Sequence, residues 1–228
     1  RLQSAFVSQR QFLNDVGHEL KTPITIIQGH IELMGDTHEE QEETKTIVFD
    51  ELERMNRLIA DLMILAQSEQ PDFLHLEFTA LQSLTEEVYT KIQAIADRQW
   101  QLEAVGKGRI LVDRHRLVQA IINLAQNATK FTYSQDTIAI GSAIERDYVR
   151  LWVRDTGIGI AEAEQEKIFE RFQAGSNNIG TKSTGLGLAI VIAIAQAHGG
   201  KIELNSRLNQ GSKFTLILPL SKAARQPG

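Results

Sequence analysis

Apolar side chains recur on alternating steps of three and four over the first part of the chain, at Phe6, Leu13, Leu20, Ile24, Ile27, Ile31 and Met34, with Arg10 and Gly17 at the remaining seam positions. That period predicts an amphipathic helix. The same spacing returns at Val48, Leu52, Met55, Ile59, Leu62 and Ala66 and predicts a second helix from about Thr44 to Ser68. Between them the acidic, glycine-containing stretch Gly35–Glu43 breaks the pattern and reads as a solvated turn. A hairpin of two long helices has too little core to bury its own apolar surface. It is therefore expected to pair with a second copy of itself as a homodimer, in a four-helix bundle.

The pattern changes after Glu69-Gln-Pro-Asp-Phe73, where proline ends the helix and a polar link follows. The chain is read as two domains, residues 1–70 and 76–222. In the second, helices are expected over Thr79–Arg98, from Asp113 as N-cap with a core face of Leu117, Ile121, Leu124 and Ala128, and over Gly187–His198. Strands are expected at Trp100–Val105, Arg109–Val112, Thr137–Ile144, Tyr148–Arg154, Lys201–Ser206 and Lys213–Leu218. The order lacks the regular β-α-β rhythm of a parallel sheet. The fold class expected is a helical hairpin followed by an α+β sandwich with a mixed sheet.

Composition narrows the function more than the fold. The 228 residues carry a formal net charge of -5, which argues against a general affinity for nucleic acid or an anionic membrane. The absence of cysteine excludes disulfides, thiolate metal sites and cysteine nucleophiles, and suits a cytoplasmic setting. No apolar run approaches the roughly 18 residues needed to cross a bilayer. The chain starts without methionine and is read as a fragment, so any membrane attachment would belong to a segment outside it.

Three groups of residues can carry chemistry. His18 lies one step off the hydrophobic seam, at its rim, with Glu19 beside it, Thr22 one helical turn on and Pro23 just past the site. A neutral imidazole is a competent nucleophile, and a carboxylate beside it can take the Nδ1 proton and leave Nε2 free to attack. On the helix that starts at Asp113, Asn123 and Asn127 share a face with Lys130, offering amide oxygens to a hydrated cation and an ammonium to phosphate. Asp155-Thr-Gly-Ile-Gly159 leaves a strand, and Gly185-Leu-Gly187 leads into a helix; these glycines let a backbone approach a ligand closely. Taken singly, each group has a plainer explanation as a bundle histidine, a polar helix face or a turn.

In combination they resemble a known family. His18-Glu-Leu-Lys-Thr-Pro23 is similar to the H box of two-component sensor histidine kinases, and the segments around Asn123–Phe131, Asp155–Gly159, Ile168–Phe172 and Gly185–Gly187 resemble, in order, the N, G1, F and G2 boxes of their catalytic domain. That domain has the Bergerat ATP-binding fold shared with DNA gyrase and a class of heat-shock chaperones. The resemblance implies ATP and Mg2+ as cofactors, autophosphorylation of His18 and transfer to an aspartate on a response regulator. It implies that Asp155 binds the adenine amino group, that Asn127 holds Mg2+, and that Asn123 and Lys130 meet phosphates. Phe131, Gly157, Gly159, Gly185, Leu186 and Gly187 would form the nucleotide pocket, with Thr215 reaching the base through water. Glu19 and Thr22 fit the pattern for the reverse, phosphatase activity toward the regulator.

The match departs from the family after the F box, where Gln173 and Ala174 replace an aromatic and an arginine, leaving Arg171 and Lys182 as unassigned candidates for the γ-phosphate. Gly175–Ser183 mimics a Walker A loop but has Thr181 between its second glycine and its lysine. Two alternatives stand beside the kinase. A gyrase-type ATPase would need a carboxylate one turn before the metal-binding asparagine, where this chain has Asn123; a dimeric scaffold would bind ATP or a regulator without transfer.

Overall fold

The computed structural model describes residues 2–172 and 184–220, with side chains in the first helix from residue 14. Lys182 and the Gly175–Ser183 stretch lie outside them. The chain divides into two compact units between Met63 and Ile64.

The first unit is built from α1 (Leu2–Glu32) and most of α2 (His38–Gln67), whose last turn falls in the second unit. Helix α2 starts at His38, earlier than the periodicity suggests, because Thr37 and Glu40 form a capping box: the Glu40 amide donates to Thr37 Oγ1, and the Thr37 amide donates to Glu40 Oε2 at 3.2 Å. The Thr37 hydroxyl, which donates to Glu40 Oε2, and then the Thr37 amide hold the Glu40 carboxyl below its ordinary pKa. Helix α1 runs through Pro23, and Thr22 and Thr25 on either side donate their hydroxyls to the His18 and Lys21 carbonyls. Pro23, Thr44 and Leu58 are buried, but Ile24, Ile31, Leu52 and Ile59 of the seam remain 42%, 53%, 43% and 45% exposed. The two pairs are each one heptad apart, so they mark one stripe on each helix.

The second unit is an α+β sandwich. A five-stranded sheet has the order β2 (Gln99–Ala104), β4 (Thr137–Glu145), β5 (Tyr148–Asp155), β7 (Gly211–Pro219), β6 (Lys201–Arg207). The β2–β4 pair is parallel and the other pairs are antiparallel, the mixed sheet expected. Val149, Leu151 and Val153 turn inward from β5, and the helices α3 (Leu81–Ile92), α4 (Arg114–Lys130) and α5 (Gly187–Ala197) supply the rest of the core. Arg150, Trp152 and Arg154 alternate with them on the outer face. There Glu103 accepts from Trp152 Nε1 at 2.6 Å and from Arg154.

A separate two-stranded sheet pairs β1 (Glu77–Ala80) with β3 (Arg109–Val112), Thr79 opposite Ile110. This corrects the expected helix over Thr79–Arg98. Thr79 belongs to a strand, and α3 starts where the Leu81 amide finds the Gly108 carbonyl at 2.9 Å. Asp113 is the N-cap expected, accepting from the Arg116 amide at 2.9 Å.

Candidate functional site

On the hairpin, His18 is exposed near the middle of α1. Glu19 and Thr22 flank it, but their side chains are turned to other partners. Thr22 Oγ1 donates to the His18 carbonyl at 3.2 Å, and Glu19 Oε2 lies 3.7 Å from Arg54 Nη2 on α2. Among the described residues the charged partner of Glu19 is therefore Arg54. The sequence period brought Arg54 no attention, since it sits between seam positions.

In the second unit the predicted residues gather at one end of the sheet. Asp155 ends β5 and is buried, 6% exposed. Its Oδ1 accepts the Gly157 amide at 2.9 Å and the Ser212 amide at 3.3 Å. Oδ2 has no hydrogen bond among the described residues, which leaves it as an acceptor for a donor brought by a ligand. Burial is the main cause that raises the Asp155 pKa to about 6; the Gly157 and Ser212 amides work against it, and the Asp136 charge adds to it.

The glycines explain how the backbone closes round this carboxylate. A Cβ on Gly157 would lie 2.0 Å from the Phe131 carbonyl, which also accepts the Ile158 amide at 3.1 Å. Gly211, at φ +87, would place a Cβ 2.0 Å from the Asp155 carbonyl. Neither contact tolerates a side chain. The loop after β5 is tied down through Ser206 Oγ, which accepts the Ile160 amide at 2.9 Å.

Helix α4 presents Asn123, Asn127 and Lys130, all half-buried, and ends with Phe131 as its C-cap. Asn123 Nδ2 reaches the Gly187 carbonyl at 3.5 Å, joining the asparagine face to the start of α5. Gly185 takes φ +69, the buried Leu186 is the N-cap of α5, and Gly187 begins the helix. Among the described residues no group of three His, Asp or Glu side chains could hold a metal, so a divalent ion here would depend on amide oxygen and on oxygens of its own ligand.

Thr215 is not part of this group. It pairs with Trp152, three residues before Asp155, and so projects from the opposite face of the sheet. The residue on the correct face is Ser212, whose amide meets Asp155. The last strand starts at Gly211, two residues before the expected Lys213, and that shift hid Ser212. His198 was also missed as a fixture. Its Nε2 accepts the Asp113 amide at 3.0 Å, which requires the proton on Nδ1, 2.8 Å from the Ile194 carbonyl. Burial lowers its pKa and favours that neutral form.

This arrangement sets a buried carboxylate, ringed by glycine turns, in the same unit as a helix that carries two asparagines. The family model described as histidine kinase-, DNA gyrase B-, and HSP90-like ATPase matches residues 112–222, and that of the His Kinase A (phospho-acceptor) domain matches residues 8–71. The solved catalytic domain of histidine kinase ThkA is 34% identical, with a TM-score of 0.56, over 66% of this chain and 99% of that one. The complex of ThkA with response regulator protein TrrA is matched at 29% identity and a TM-score of 0.77, over 98% of this chain and 65% of that one. The signal transduction histidine-protein kinase ArlS of Staphylococcus haemolyticus is 30% identical over 95% of this chain and 50% of its own length. The chain belongs to the sensor histidine kinase family. It spans half or less of the length of the curated relatives it matches, and no described helix is long and apolar enough to cross a membrane.

Proposed function

We propose that this chain is the catalytic core of a histidine kinase: residues 1–70 form the dimerisation and phosphoacceptor hairpin, and residues 76–222 bind ATP. The observation that carries the reading is the buried Asp155, with one oxygen held by two backbone amides and the other available to a base amino group. The exposure of His18 supports its role as acceptor.

In the reaction, His18 Nε2 attacks the γ-phosphorus of ATP, the bond from phosphorus to the ADP oxygen breaks, and Glu19 takes the Nδ1 proton. Positioning and charge neutralisation supply most of the acceleration in phosphoryl transfer. Asn127 would hold Mg2+, which offsets phosphate charge when bound, while Asn123 and Lys130 meet the phosphates and Phe131 lines the pocket. The turns at Gly157, Gly159 and Gly185, with Leu186 and Gly187, bring backbone close to the nucleotide. The phosphoryl group then passes to an aspartate of a response regulator; the ThkA complex with its regulator supports that class of partner. Glu19 and Thr22 would serve the reverse hydrolysis. The exposed stripe of Ile24, Ile31, Leu52 and Ile59 supports a homodimer, in which a second hairpin covers it.

Incubation with γ-labelled ATP tests this. Wild type acquires acid-labile label and His18→Gln none; release of free phosphate with no labelled protein would instead support a gyrase-type ATPase.

A further inference from the structure

Arg54 on α2 stands between two carboxylates: its Nη2 is 3.7 Å from Glu19 Oε2, and its Nη1 is 3.5 Å from Glu51 Oε2. The Arg54 and Glu51 side chains are each only 16% exposed, and Arg54 Nη1 and Glu51 Oε2 are sealed from solvent without a hydrogen bond. A guanidinium in such a place needs a counter-charge, and a planar fork between two acids can tighten onto either. The charged groups facing Glu19 are Arg54 and, behind it, Glu51 on α2, with Asp15 one turn back on α1.

We propose that Arg54 is a positioning residue for the base of the transfer step, holding Glu19 at the hairpin interface until Glu51 takes over the guanidinium and frees Glu19 to turn to His18. The exchange is chemically balanced. Before transfer the three side chains carry one net negative charge; once Glu19 has taken the Nδ1 proton, Arg54 and Glu51 remain as a neutral pair. Without Glu51, the turn of Glu19 toward His18 would strand a half-buried cation. Without Arg54, two acids would face each other with no cation between them.

This rests on Glu19 being the base of the proposed kinase, and the experiment separates the two claims. Autophosphorylation of the intact chain is followed over a range of ATP concentrations, with thermal melts of the same preparations. Arg54→Gln and Glu51→Gln are the variants compared, since each removes one side of the exchange. In both, kcat falls severalfold while KM for ATP stays unchanged, and Arg54→Lys, which keeps the charge but not the two-armed fork, restores only part of the rate. A purely structural role for Arg54 would lower the melting transition and leave kcat unchanged, or raise KM for ATP along with any fall in kcat, and that result overturns the proposal. Should Arg54→Gln fail to fold, Glu51→Gln and Arg54→Lys decide the matter by the same readouts. Wild-type protein that takes no label at His18 overturns the kinase reading itself.

Discussion

The two units of this chain solve opposite problems. The second buries its key carboxylate and pins it through backbone: Asp155 is fixed by the Gly157 and Ser212 amides, and Gly157 and Gly211 leave no room for a side chain. The hairpin does the reverse, leaving His18 exposed, its neighbours loosely held, and apolar seam residues such as Ile24, Ile31, Leu52 and Ile59 open to solvent. A site that binds a ligand gains from preorganised acceptors. An acceptor that must meet several partners in turn gains from exposure. Substitutions should therefore behave differently in the two units, and the contrast can be broken or sharpened in order of expected effect.

Gly211→Ala is expected to be the most damaging. Its Cβ meets the Asp155 carbonyl at a positive φ, so a loss of about 3 kcal/mol or more is expected, read as a lowered melting transition. The hairpin should respond to a different insult. Ile59→Glu places a charge in the stripe of each copy and is expected to convert dimer to monomer by light scattering, with nucleotide binding retained. A dimer that survives would mean the stripe is covered by something other than a second hairpin.

Asp155→Asn separates binding from stability within the second unit. Its amide oxygen can still accept from Gly157 and Ser212, but the NH2 that replaces Oδ2 cannot accept from a base amino group, so ATP affinity is expected to fall tenfold or more by calorimetry. The pKa raised to about 6 gives the sign of the accompanying effect. The stabilisation of the neutral acid is fully present below the unfolded pKa near 3.8 and is lost as pH rises through about 6. Ligand-free Asp155→Asn should consequently melt no lower than wild type at pH 8. Melting well below wild type would show that the charge itself holds the fold. The smallest effect is expected at Thr37→Ala, which removes half of the capping box at the start of α2 and costs about 1 kcal/mol in thermal melts.

How far these features could be read from sequence depended on whether local chemistry decided them. The helix period, the Asp113 cap and the strand Arg109–Val112 follow from neighbouring residues and were legible. The Thr37-x-x-Glu40 box was equally local, and its pattern marks the true start of α2. The strand Glu77–Ala80 was not legible, because only pairing with residues 109–112 makes it a strand. Thr215 shows the same limit at the site. A period of two places each residue of a strand correctly only when its register to β5 is known, and register is a long-range property. Arg54 and His198 were hidden for that reason as well: each matters through a partner far along the chain.

The measurement that bears most directly on the division of labour between the units is phosphorus NMR of the intact chain after incubation with Mg-ATP, with the imidazole nitrogens isotopically labelled. The account predicts one phosphoryl group bonded to Nε2 of His18, formed in wild type, absent from His18→Gln and strongly diminished in Asp155→Asn at an ATP concentration that saturates wild type. A phosphoryl group on any other side chain, or one on His18 that forms undiminished in Asp155→Asn, would contradict it.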